Sequence, residues 1–193
     1  MYFPLHCHTH FSLLDGLSKP EQIAERIQSL GLSGAAITDH GNISGSVSFV
    51  KAMRKKGLKP ILGCELYISK QCASVRNKEN SKLNHLVVLA KNIDGWRQLI
   101  KITSESNKDE NFYRKPRLSL EQLSKFCDGN LVAFSGHLGS DLAEVVFGEM
   151  ASDAYNAKTY EEAESLVDDN WLENTKSLAL KYQEIFGEGN FFI

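Results

Sequence analysis

No apolar run in this 193-residue chain is long enough to span a bilayer, and its first residues lack the charged-then-apolar pattern of a leader. No membrane is therefore expected as a partner, and a reducing cytoplasm is the expected compartment. Cysteine is scarce: Cys7, Cys64, Cys72 and Cys127 are widely spaced with no C-x-x-C, which argues against a disulfide framework. All four read as packing residues, with Cys7 turned to the opposite face from its two neighbours by strand alternation. Positive charge is not in excess either. A net charge of −2 gives no general basic footprint for nucleic acid, so such a substrate would have to be held by local charge and by metal. Local candidates are Arg54-Lys55-Lys56, which reads rather as a solvated helix end, and Arg114-Lys115-Pro116-Arg117. Repeats and low-complexity segments are absent. A hydrophobic content of 42% and a charged content of 24% are ordinary for a globular chain of this length, and one domain is expected.

Histidine is where the chain stands out. His6 and His8 form an H-x-H pair in the first apolar run, Tyr2 to Cys7. His40 closes the run from Ala35, His85 opens the run to Ala90, and His137 follows the run from Leu131. Each run reads as a buried strand, and strands of this kind place polar side chains at a sheet rim. Imidazole is the commonest protein ligand for transition metals, so five histidines gathered there point to a multinuclear site. Taken singly, each would read as a hydrogen-bonded core histidine. His10 is left outside the set.

The rest of the pattern alternates strand and helix. Ser18 is the expected cap of a first helix with Pro20 in its first turn. Val47, Val50 and Met53 space a second helix, and Trp96, Leu99, Ile100 and Thr103 face inward on a third. Residues 71–84 and 107–118 read as loops, Ser119 as a cap, 161–186 as helix with a break, and 190–193 as the start of a sixth strand. Repeated βα units imply a parallel sheet, open or closed into a barrel, with its site at the strands' carboxyl ends.

Three acidic residues matter. Asp15, just after the H-x-H, is either a turn residue or a carboxylate reaching over the site. Asp39 and His40 are adjacent, so alternation turns one of them away; His40 is taken as ligand and Asp39 as support. Glu65 lies inside Pro60-Ile61-Leu62-Gly63-Cys64-Glu65-Leu66-Tyr67, where an unpaired carboxylate would cost several kcal/mol. Metal coordination offsets that cost, and a carboxylate can bridge two ions about 3.5–4 Å apart. Pairing with a buried Lys or Arg is the alternative.

The motifs His6-Cys7-His8-Thr9, Phe11-Ser12-Leu13-Leu14-Asp15-Gly16, Thr38-Asp39-His40-Gly41-Asn42 and Lys59-Pro60-Ile61-Leu62-Gly63-Cys64-Glu65 run in order along the chain. Phe112-Tyr113-Arg114-Lys115-Pro116-Arg117 and Ser135-Gly136-His137-Leu138-Gly139 follow them. Together they resemble the PHP (polymerase and histidinol phosphatase) domain. The likeness is to its polymerase branch, found at the N-terminus of the bacterial DNA polymerase III α subunit. The resemblance implies an α/β fold, a distorted (β/α)7 barrel whose last strand is missing from residues 1–193. It also implies up to three divalent ions, zinc, manganese or iron. His6, His8 and Glu65 would hold one, Glu65, His85 and His137 a second, and Asp15 with His40 a third. The polymerase branch often has cysteine where His137 stands. The family's final D-x-H, which completes the first and third ions, is not found, so the site is expected to be incomplete without a further segment in cis or in trans.

By the same resemblance the expected activity is metal-dependent phosphodiester hydrolysis as a 3′–5′ proofreading exonuclease, with Glu65, His8 and His40 as the catalytic set. Its substrate would be a DNA 3′ terminus. Its partners would be the rest of the polymerase α subunit and other replication subunits. The alternatives are a small-molecule phosphatase of the histidinol phosphate type and a non-catalytic scaffold that docks a proofreading subunit.

Overall fold

The computed structural model describes residues 2–136 and 139–193. Its α1 (Pro20–Ser29), β1 (Gly34–Ile37), α2 (Ser46–Lys55) and β2 (Lys59–Ser69) make a strand–helix–strand unit in which β1 and β2 are parallel. Then come β3 (Leu83–Ala90) and α3 (Ile93–Ser106). Three short strands follow: β4 (Phe112–Tyr113) and β5 (Lys115–Pro116) form a tight hairpin, and β6 (Leu118–Ser119) runs parallel to the end of β2. After α4 (Leu120–Ser124) and β7 (Leu131–Phe134) come α5 (Asp141–Phe147), α6 (Ala151–Asn156), α7 (Tyr160–Glu164) and α8 (Trp171–Phe186). The chain closes on β8 (Phe191–Phe192). The main sheet has six strands in the order β1-β2-β3-β7-β8, with β6 on β2.

The α/β class stands, but the sheet is mixed rather than parallel. β3 runs against both β2 and β7, while β8 returns parallel to β7. A parallel neighbour requires the chain to cross back to the end where the previous strand began. Residues 70–82 have the length for that but form only one 3-10 turn, Glu79–Ser81, and stay where β2 ends. The buried Arg117 holds them there. Its guanidinium donates to the carbonyl oxygens of Ala73, Val75 and Asn80 at 2.7–3.1 Å.

Alternation then divides the side chains. Leu66 and Ile68 of β2, with Leu86 and Val88 of β3, pack under Leu99, Ile102, Tyr182 and Phe186. Ala35 and Ile37 of β1 pack under Ala24, Ile27, Phe49 and Met53 of α1 and α2. Each fully buried side chain of this size contributes roughly 1.5–3 kcal/mol. On the opposite sheet face a smaller cluster, Ala36, Val87 and Leu89 with Leu5, Ile61 and Phe134, lies beside Glu65.

Several local expectations shift. Residues 2–9 form no ladder strand; they run extended beside β1, tied by Ala36 N to Pro4 O (2.8 Å) and Thr38 N to Cys7 O (2.9 Å). The cap of α1 is Lys19, whose N–H donates to Gln22 Oε1, while Ser18 uses its carbonyl to accept from His10 N. On α2 the inward face is Phe49, Ala52 and Met53, and Val47 points out; on α3 Ile102 replaces Ile100. Cys72 is exposed, so it is not a packing residue. Ser119 caps α4 as expected, the break between α7 and α8 is present, and β8 is the sixth strand.

Candidate metal centre

Strand direction decides which side chains meet. Glu65 and Tyr67 are two apart on β2 and share a face, and the antiparallel register sets Tyr67 opposite His85. In an all-parallel sheet, His85 at the start of its strand would lie at the far rim from His40. Reversal of β3 puts it at the end of β2, beside Glu65, with Nδ1 3.8 Å from Glu65 Oε1. His40 follows β1 and bridges to Glu65, with Gly41 N donating to Glu65 O at 2.9 Å. Gly41 has φ +61°, a conformation glycine adopts freely and other residues rarely.

The N-terminal segment brings the H-x-H pair. His6 Nε2 and His8 Nε2 each lie 2.6 Å from Glu65 Oε2 and 3.1 Å from each other. The other ring nitrogen of His8 meets Asp15 Oδ2, which lies 3.6 Å from His40 Nε2. His8 and His40 rings are 4.3 Å apart. Six of the seven expected ligands, His6, His8, Asp15, His40, Glu65 and His85, thus converge. The seventh, His137, lies outside the described residues. His10 is exposed, with its ring against Phe11, and joins none of the groups.

Asp39 stands behind this cluster, as alternation requires. Its carboxylate accepts from Thr9 N (2.6 Å), Thr9 Oγ1 (2.8 Å) and Ser12 Oγ (2.8 Å), and Ser12 Oγ accepts from His40 N. The buried Asp39 side chain therefore fixes both the H-x-H segment and the His40 backbone. Gly16 lets the Asp15 turn close on it, since a Cβ there would come within 2.0 Å of Thr9 O.

Electrostatics divide the donors. Burial alone would push the Glu65 carboxyl up, but hydrogen bonds from His6 and His8 outweigh it and hold the group well below the usual carboxylate range. The hydrogen bond to Glu65 raises His8 to about 9, with Asp15 adding to it and burial opposing. His40 goes the other way: burial lowers it, the charges of Glu65 and Asp15 oppose that, and those of His8 and Lys115 add to it. Its buried Nδ1 has no hydrogen-bond partner among the described residues.

Among the described residues, three overlapping groups of donor atoms result: His6, His8 and Glu65; His8, Asp15 and His40; and His40, Glu65 and His85. Within each, the atoms lie within 4.8 Å of one another. Sequence reasoning missed Tyr67, whose ring stacks on His40 (5.5 Å, 9° between planes), meets His85 (5.2 Å), and is pushed up to about 12 by burial. Its spacing of two from Glu65 was the available signal.

Known proteins resemble this chain along most of its length. The DNA polymerase III subunit alpha of Helicobacter pylori is 34% identical over 98% of the chain. That of Treponema pallidum is 32% identical over 98%, and that of Borreliella burgdorferi 36% over 80%. The chain spans 14% of the length of each of these relatives. Among solved structures, the chain is 17% identical to a two-domain protein of Bacteroides vulgatus described as containing a "predicted PHP-like metal-dependent phosphoesterase". The likeness covers 85% of this chain and 40% of that one, with a TM-score of 0.45. The PHP domain family profile matches residues 4–193, and the chain belongs to that family.

Proposed function

We propose that this chain is a metal-dependent phosphoesterase domain that works as part of a DNA polymerase III α-type subunit, with a DNA 3′ terminus as its substrate. The observation that carries the reading is the sharing of ligands. Among the described residues the three donor groups overlap, and Glu65, which belongs to two of them, has two carboxylate oxygens with which it could serve neighbouring ions.

The residues fit such ions. Imidazoles with carboxylates suit zinc, manganese or iron, and the buried His40 Nδ1, with no hydrogen-bond partner among the described residues, is costly to leave without use. His6, His8 and Glu65 would hold one ion, Glu65 with His85 a second, and Asp15 with His40 a third, so that each imidazole serves a single ion. Bound there, divalent ions supply Lewis acidity to a phosphoryl oxygen and lower the pKa of water. Burial keeps His40 neutral and ready to donate its lone pair, and the imidazoles keep Glu65 ionised. His8, protonated at neutral pH in the metal-free protein, is the group that gives up a proton on binding. Asp39 holds the ligands in place without touching them, as supporting carboxylates do.

Metal analysis of the purified chain, coupled to assays on a 3′-mismatched primer and on a phosphomonoester, tests the reading. Release of 3′ nucleotides that stops on chelation is expected. A metal-replete protein that cleaves neither substrate would overturn it in favour of a scaffold that docks other replication subunits. Cleavage of the monoester alone would favour a small-molecule phosphatase.

A further inference from the structure

The β4–β5 hairpin takes no part in the site above, yet it packs against it. Lys115 is exposed, and its Nζ lies 4.3 Å from the centre of the Tyr67 ring, the same ring that stacks on His40. Pro116 presses on the backbone beside His40, since a Cβ on Gly41 would come within 2.7 Å of Pro116 Cγ. Between the two strands stands Arg114 with φ +63°, a conformation that side chains other than glycine rarely adopt. Its guanidinium lies 5.4 Å from the Tyr113 ring, and the buried Arg117 lies 5.1 Å from the same ring. Among the described residues, neither Arg114 nor Lys115 pairs with a carboxylate. Phe112 is 41% exposed on the hairpin's first strand.

These features belong together. Arg117 anchors the hairpin, Phe112 and Tyr113 offer ring surface, and two cations that pair with no carboxylate among the described residues stand at its tip and on its second strand. Backbone strain at an exposed position, where a glycine would relieve it, signals a side chain kept for use. Rings interleaved with cations on a fixed support are how proteins hold single-stranded nucleic acid, the cations following phosphates and the rings stacking on bases. We propose that the Phe112–Pro116 hairpin binds the phosphodiester backbone of a single-stranded nucleic acid, Lys115 taking the phosphate next to the His40–Glu65 site and Arg114 a neighbouring one. Only the naming of the strand as substrate rests on the hydrolase reading; the binding itself does not.

The test is fluorescence anisotropy of a short labelled oligothymidylate with the full chain in EDTA, where binding is read without hydrolysis. Lys115→Ala is expected to weaken binding roughly fivefold and to flatten the dependence of log K on log salt by about 0.7, the share of one phosphate contact on a single strand. Lys115→Arg is expected to restore both. Arg114→Gly is expected to weaken binding while raising the melting temperature, because the turn loses its strain; a turn residue without a ligand would show only the second effect. Absence of oligonucleotide binding by the unaltered chain, or equal affinity and salt slope in Lys115→Ala, overturns the proposal. Binding that depends on Lys115 in a chain that hydrolyses nothing would sustain it while defeating the hydrolase reading.

Discussion

Glu65 shows how one residue sets the chemistry of the site. It is fully buried and carries a charge, a combination that persists only when the charge is paired or coordinated. Replacing supporting groups behind a metal ligand already costs about 10–100-fold in affinity, so Glu65→Gln is expected to lower metal binding by at least that much and to abolish hydrolysis. His10→Ala, on an exposed ring outside all three groups, is expected to change neither; equal metal content in the two variants would sink the assignment. His8 supplies a pH signature. Its folded pKa of about 9 lies above the ordinary 6.5. In the metal-free protein its stabilising contribution is therefore complete below pH 6.5 and disappears as pH rises through about 9. Metal binding has the opposite slope, because the ion must displace that proton, so affinity is expected to climb towards pH 9 and then level off. Calorimetric titrations at several pH values would show this, and a flat profile would count against His8 as ligand. At this scale much was legible: alternation told His40 from Asp39, and an acid within an apolar strand marked Glu65. Tyr67 was passed over because an aromatic residue in a strand carries no polar signal of its own.

At the scale of elements, the N-terminal segment holds two of the candidate ligands without being a strand. Hydrogen bonds tie it to β1 and the residues that follow, and one is Cys7 N donating to Thr38 Oγ1 at 2.9 Å. Thr38→Val keeps the shape and removes that acceptor, leaving a half-buried N–H unmet. A loss of about 1 kcal/mol is expected, together with weaker metal binding through the displaced His6 and His8. Denaturant unfolding and metal titration of the same variant check both, and a loss of stability without any change in metal binding would show that the segment is held by other means. The helix caps at Asn92 and Ser119 follow from local chemistry, a short polar side chain accepting from N–H groups of the first turn. Which face of α2 and α3 turned inward did not follow, because Val47 and Ile100 are as apolar as the residues that displaced them.

For the molecule as a whole, metal should act as a stabilising ligand, since the three donor groups join residues from the N-terminal segment, β1's end, β2 and β3. At an ion concentration about 100 times the dissociation constant, binding adds about 2.7 kcal/mol. For a chain of this size that corresponds to about 5–10 °C in Tm. Calorimetry with and without EDTA is expected to show the shift in the unaltered protein and not in Glu65→Gln. An identical shift in both would mean that the stabilising ion sits elsewhere.

The sequence by itself determined the α/β class and the positions of the candidate donor residues, because apolar runs, caps and acids inside strands are local properties. The direction of β3 was decided only in three dimensions. It depends on Arg117 reaching back across the chain to hold residues 70–82 at one rim, and no local pattern records that contact. The sequence placed His85 among the candidate ligands. Tertiary structure alone explains how a histidine at the start of its strand reaches the end of its neighbour, and why Tyr67 and Lys115 stand beside it.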